Sequence, residues 1–192
     1  MECACGCRCH TRRGELILYI GCMFSEKTRS MTTAINRHVI AKKRAVILRP
    51  ECDSRYPEET EGLKLNNGEV YRGCRVVKLA KLEQFTNRID EFDVIGVNET
   101  QFFPDPEILD EWANQGKIVI CDSLNGNFNR ELFGESYKLF SKAEEIHKLF
   151  AVCIKCGNKA SFTKRYDTTE IREVVIGGIN EYYPVCRNCY NL

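Results

Sequence analysis

Neither sign of charge is in excess in this chain: 28 Lys and Arg stand against 27 Asp and Glu, a formal charge of +1. With no net field and no concentrated basic face, nothing recommends nucleic acid or an anionic membrane as a partner. Long apolar runs are also missing. The longest are strand-sized and the first residues carry no hydrophobic signal core, so the expectation is an intracellular protein without a membrane span. No internal repeat is present, and low complexity is confined to residues 1–10. A length of 192 residues suits one full core plus a small appended module rather than two large domains.

One further absence is local. Residues 21–28 read GCMFSEKT and match the phosphate-loop pattern G-x-x-x-x-G-K-[ST] at every position but one, where Glu26 replaces the second glycine. The apolar run LILYI at 16–20 precedes the loop and a helix-compatible stretch begins near Lys27, so the required strand, loop and helix context is present. In that geometry Gly21, Ser25 and the first helical turn surround an anion, Lys27 supplies a fixed positive charge, and the Thr28 hydroxyl can reach magnesium. Glu26 adds bulk and like charge: two unit charges about 4 Å apart repel by roughly 4 kcal/mol at an effective dielectric near 20. Turned outward, the side chain suffers much less. Turned inward, it would plug the loop by competing with ATP for the amides and Lys27, and Glu26→Gly would then tighten ATP.

Cysteine, by contrast, is abundant. Twelve are many for a reducing compartment, where disulfides seldom persist. Cys153, Cys156, Cys186 and Cys189 form two CxxC knuckles, whose thiolates can surround one tetrahedral zinc; a redox pair is the competing reading. The separation of the knuckles implies an extended hairpin tip between them. Cys3, Cys5, Cys7, Cys9 and His10 lack CxxC spacing and read as a disordered, oxidation-prone tail ahead of a soft-metal or redox tag. Cys22, Cys52, Cys74 and Cys121 are scattered singly and read as thiols without function.

After the tail, strand and helix patterns alternate as an α/β parallel sheet requires. Strands are expected over 16–20, 45–48, 94–97 and 118–121, and helices over 27–42, 80–88 and 106–115. This order predicts an open, mostly parallel sheet with the phosphate loop at its carboxyl edge. Residues 50–74 are polar and read as a flexible loop beside the site. A second unit begins near Phe150, with strands over 160–165 and 173–176, the latter broken by Gly177 and Gly178. The expected division is a tail over 1–13, a nucleotide-binding α/β domain over 14–149 and a zinc-binding domain over 150–192.

The segment FDVIGVNETQFFPD at 92–105 is an apolar strand ending at Asn98 and Glu99. Phosphate-loop proteins place magnesium-positioning or nucleophile-activating acids at such a strand end, and Glu99 could take a proton from an attacking hydroxyl. A solvated residue capping the strand is the alternative. Phe102, Phe103, Phe128, Tyr182 and Tyr183 offer aromatic faces near segments that should converge on the same edge, although aromatics are more often core.

These motifs occur in a familiar order. GxMFSxKT after a strand, xETQFFPD, LNGNFNRxxFG, AxxxxKLxAVCxxC, FTKR and VIGGxxxYxxVCRxCY make the chain similar, from about Arg13 to Tyr190, to the zinc-containing cytosolic thymidine kinases of animals and large DNA viruses. The resemblance implies a zinc domain whose lasso-like loop closes on the nucleoside base, assembly as a homotetramer, cytoplasmic residence, and transfer of the ATP γ-phosphate to the 5'-hydroxyl of thymidine or deoxyuridine. It assigns phosphate and magnesium to Lys27 and Thr28, the general base to Glu99, and an apolar nucleoside pocket to Met23, Phe102, Leu124 and Phe128. Tyr182 and the backbone of Val174, Val175 and Ile176 would contact the nucleoside from the lasso. Arg55, in an Asp53-Ser54-Arg55 stretch, would help neutralise the transferring phosphoryl group.

Departures from the family fall on the phosphate side. Glu26 stands for glycine, Asn98 for aspartate, Asn125 for the aspartate of an LDGxF motif, and a threonine-histidine-aspartate motif after Arg55 is replaced by TEGLKLNNG. Asn98→Asp is accordingly expected to strengthen magnesium binding. Two readings follow: an active thymidine kinase, and a catalytically impaired paralogue that binds thymidine nucleotides or regulates an active partner.

Overall fold

A computed structural model describes residues 14–53, 62–65, 67–166 and 177–192. Arg55, Val174, Val175, Ile176, the strand expected over 173–176 and the N-terminal cysteine run lie outside the described residues. Strand β1 (Glu15–Gly21) leads into helix α1 (Lys27–Ile40), then β2 (Ala45–Pro50), a hairpin of β3 (Leu63–Lys64) and β4 (Val70–Tyr71), and β5 (Arg75–Leu79). A 3-10 helix over Leu82–Glu91 precedes β6 (Val94–Val97), and a 3-10 turn over Thr100–Phe102 precedes α2 (Ile108–Asn114) and β7 (Ile118–Leu124). Beyond a third such turn at Ser136–Leu139 come β8 (Glu145–Leu149), the short strands β9 (Ala151–Val152), β10 (Lys159–Ala160), β11 (Phe162–Arg165) and β12 (Tyr182–Val185), and α3 (Arg187–Tyr190).

Six strands form the central sheet in the order β5-β2-β6-β7-β1-β8, and every pairing in it is parallel. Side chains alternate along each strand, so both faces must be covered. Leu16, Leu18 and Ile20 of β1 point to one face, where Phe85, Leu109 and Trp112 pack; Ile17 points to the other. On that second face α1 lays down Met31 and Ile35, one turn apart and fully buried, against Ile47, Val94 and Ile120. The helix closes where Lys42 turns left-handed (φ 63°) and its N–H bonds the Val39 carbonyl. Among the described residues, no helix is long and apolar enough to cross a membrane.

The four expected strands of the sheet are present. Its two edge strands, β5 and β8, were not expected: RVVKL and EIHKL are short, charged and partly exposed, and lack the run of apolar residues that marks a buried strand. The segment expected as helix over 80–88 is a 3-10 helix, and the stretch expected as a flexible loop over 50–74 contains the β3–β4 hairpin. There Leu63 is fully buried and, with Tyr71, joins the α1 face of the core, which anchors the β3–β4 hairpin.

Among the described residues, the second unit contains two antiparallel pairs, β9–β10 and β11–β12, so the single strand expected over 160–165 is divided between β10 and β11. Ala151, Cys153, Ala160, Tyr183 and Val185 form its small core, which also takes in Cys22 and Phe24 from the loop after β1. Two hydrogen bonds join the same parts. The Met23 N–H donates to Thr163 Oγ1 at 3.0 Å, and the Cys22 thiol to the Ala160 carbonyl at 3.5 Å.

Candidate active site

The loop between β1 and α1 is held by its own side chains. Ser25 Oγ and Lys27 Nζ each donate to the Cys22 carbonyl at 2.8 Å, and both residues are buried. Gly21 is required where it stands, because a Cβ there would lie 2.5 Å from Ser25 Oγ and 2.6 Å from the Leu149 carbonyl oxygen. Phe24 (φ 64°) and Glu26 (φ 61°) take the left-handed conformation that glycine adopts without cost. Glu26 therefore supplies the backbone shape of the missing glycine. Its carboxylate turns outward to accept a hydrogen bond from Arg29 Nε at 2.8 Å, and Arg29 also pairs with Glu69 at 3.0 Å. The expectation that Glu26 plugs the loop is thus corrected: an arginine on the next turn of α1 draws the charge to the surface.

Three polar residues meet at the carboxyl ends of β6 and β7. Asn98 Nδ2 donates to both oxygens of Asp122, at 3.1 and 2.9 Å, and lies 3.4 Å from Thr28 Oγ1. The Glu99 N–H also donates to Asp122, and Gln101 Nε2 donates to Glu99 Oε2 at 2.6 Å. Gln101 is fixed in turn by Ser123 Oγ and the Leu124 N–H, both 3.0 Å from its Oε1. Asp122 is fully buried. Burial, and then the neighbouring Glu99 carboxylate, push its carboxyl up to about 6, against opposing hydrogen bonds from Glu99 N–H and the Thr28 hydroxyl. Neither Asp122 nor Gln101 is singled out by sequence reasoning. Asp122 ends the apolar stretch IVIC just as Asn98 and Glu99 end VIGV, so the strand-end rule that finds Glu99 finds it too when applied to β7.

Of the expected pocket residues, Leu124 pairs in register with Gly21 and Met23 lies within the loop after β1, so both lie at the carboxyl edge of the sheet. Phe128 packs against Tyr182 with ring centroids 6.4 Å apart; the Arg165 guanidinium sits 4.1 Å above Phe128, whose carbonyl accepts from the Tyr190 hydroxyl at 2.7 Å. Phe102 is half-buried and meets Phe133 edge-on at 5.6 Å. Phe103 and Tyr183 belong elsewhere. The first is buried in the main core, and the second is buried in the small one with its ring centroid 4.4 Å from that of Tyr166, so neither offers a face to a base.

The four knuckle cysteines converge, with all sulfur atoms within 4.8 Å of one another and Cys156 and Cys186 3.6 Å apart. Tetrahedral zinc with bonds of about 2.3 Å spaces its thiolates by about 3.8 Å, so the donor set fits zinc in number, chemistry and size. Gly157, left-handed at φ 74°, turns the first knuckle; the Gly157 N–H bonds the Cys153 carbonyl, and the Cys153 N–H bonds the Asn158 carbonyl, both at 2.8 Å. Burial pushes the Cys153 thiol up, but converging backbone N–H groups bring it down to about 6; backbone N–H groups also lower Cys186. The hydrogen bond that the Cys189 thiol donates to Cys156 leads the effects that raise Cys189 to about 12. Elsewhere, burial raises the thiols of Cys22, Cys74 and Cys121, which agrees with their reading as inert.

Comparison with known proteins places this geometry. Residues 14–190 match the family model described as thymidine kinase. The chain is 38% identical over 183 residues to thymidine kinase 1 of Dictyostelium discoideum, covering 93% of this chain and 78% of that protein. It is 39% identical over 178 residues to the thymidine kinase of Variola virus (92% and 97% covered) and 38% over 182 residues to that of Amsacta moorei entomopoxvirus (91% and 96%). A phosphate loop, an acidic strand edge and a four-cysteine cluster, in a chain matched nearly end to end, establish that it belongs to the thymidine kinase family.

Proposed function

We propose that this chain transfers the γ-phosphoryl group of ATP to the 5'-hydroxyl of thymidine or deoxyuridine. The observation that carries the reading is the meeting of the phosphate loop and Glu99 at one sheet edge, bridged by Thr28, Asn98 and Asp122. Gly21, Ser25 and the α1 N-terminus cradle the phosphates, and Lys27 exchanges its contact with the Cys22 carbonyl for phosphate oxygens. Magnesium bound with ATP would offset phosphate charge, with Thr28 among the residues that hold it. Glu99 takes the proton from the 5'-hydroxyl as that oxygen bonds to γ-phosphorus and ADP leaves; Arg55 neutralises charge on the moving group. Met23, Phe102, Leu124, Phe128 and Tyr182, with the backbone of Val174, Val175 and Ile176, receive the nucleoside. Structural zinc on Cys153, Cys156, Cys186 and Cys189 holds the lasso unit over 150–192 against the nucleotide-binding unit over 14–149.

A homotetramer in the cytoplasm completes the reading, by family likeness and by cysteine usage suited to a reducing compartment. The impaired-paralogue alternative loses one of its grounds in the outward placement of Glu26, and keeps Asn98. Incubating purified protein with thymidine, ATP and magnesium decides between them by the yield of thymidine monophosphate. Thymidine binding without product would overturn the kinase reading in favour of the impaired paralogue.

A further inference from the structure

Asp122 is a buried carboxylate at the carboxyl edge of the sheet, and the family likeness gives it no role. It is 1% exposed, on β7, the direct neighbour of β1; Asn98 ends β6, one strand further from the phosphate loop. The two face each other across adjacent strands, since Val97 pairs with Cys121 immediately before them. Asn98 directs its amide nitrogen, not its oxygen, at the Asp122 carboxylate, and the same nitrogen lies 3.4 Å from the Thr28 hydroxyl, so one amide bridges the two. Magnesium prefers a carboxylate oxygen, usually one or two together with water and substrate phosphates. At the position where the family likeness calls for an acid there is an amide, and an acid stands on the next strand, directly beside β1.

We propose that Asp122, together with the Thr28 hydroxyl, holds the magnesium ion of MgATP, and that Asn98 is a positioning residue that aims the Asp122 carboxylate. The acid stands on β7 and its amide partner just after β6, an arrangement that keeps one negative charge in the pair and keeps it hydrogen-bonded, which an acid at both positions would not do. Asn98→Asp alone therefore does not strengthen magnesium binding, because it sets a second carboxylate where an amide now donates at about 3 Å, and like charges so close cannot both ionise freely.

The inference rests on the ATP reading above, and calorimetric titration of the zinc-loaded full chain with ATP, in magnesium and in EDTA, separates the two. In the parent, magnesium should tighten ATP. Asp122→Asn should reduce that enhancement by roughly 10- to 100-fold while ATP binding in EDTA survives. Asn98→Asp should give no gain, and the double exchange Asn98→Asp with Asp122→Asn should restore the enhancement. If Asp122→Asn does not fold, as judged by its melting curve and zinc content, the double exchange decides alone. Asp122→Asn with undiminished enhancement, or a folded double exchange without it, overturns the proposal. ATP binding to the parent that magnesium does not tighten overturns the proposal only; no ATP binding in either condition overturns the kinase reading and the proposal with it.

Discussion

Glu99 sits in a left-handed backbone conformation (φ 52°, ψ 49°) with its carboxylate gripped by Gln101. A non-glycine residue pays of order 1–2 kcal/mol for that geometry, and such strain persists only where surrounding contacts enforce it. A residue that merely capped β6 would have no reason to be so constrained. Glu99→Gln preserves size and hydrogen bonding but removes the proton acceptor, so steady-state kinetics should show turnover reduced roughly 100-fold or more with little change in thymidine affinity. An unchanged rate would leave strand capping as the role of Glu99. Glu26 invites the opposite expectation. Its pair with Arg29 is exposed, and such pairs are worth at most about 1 kcal/mol, so Glu26→Gly should move ATP affinity by no more than about fivefold. A large tightening of ATP in a calorimetric titration would return the carboxylate to the loop.

Among the elements, legibility follows burial. β1, β2, β6 and β7 are readable because a strand covered on both faces is a near-continuous apolar run, and α1 because Met31 and Ile35 recur one turn apart. β5 and β8 are not, since an edge strand is stabilised by its ladder more than by its side chains. The site divides in the same way. Lys27, Thr28 and Glu99 are legible because their motifs are local, and the knuckles because zinc dictates spacing. The Asn98–Asp122 pair is not, because it joins residues 24 apart in sequence whose opposition depends on strand order. At this scale the loop itself offers a test: Gly21→Ala forces a methyl group against the Leu149 backbone and Ser25. Overpacking of this kind costs about 1–3 kcal/mol, and here it should appear both as a lowered melting temperature and as weakened ATP binding.

At the scale of the whole molecule, the four-cysteine unit and the loop after β1 share one small core through Cys22 and Phe24. Cys153→Ser should therefore weaken ATP as well as nucleoside binding, although no knuckle cysteine belongs to the loop. Direct titration of the variant with each ligand checks this; loss confined to the nucleoside would mean that the loop holds its shape unaided. The Met23 N–H carries a subtler consequence. Its hydrogen is retained by a Thr163 hydroxyl 140 residues away, on a strand that pairs with β12, which runs directly into Cys186 of the four-cysteine cluster. Those distant amides then open as a single cooperative unit. On chelation, deuterium uptake at Met23 should accelerate in step with that of β11 and β12, while Ile47 and Ile95, deep in the central sheet, keep the slow exchange set by global unfolding.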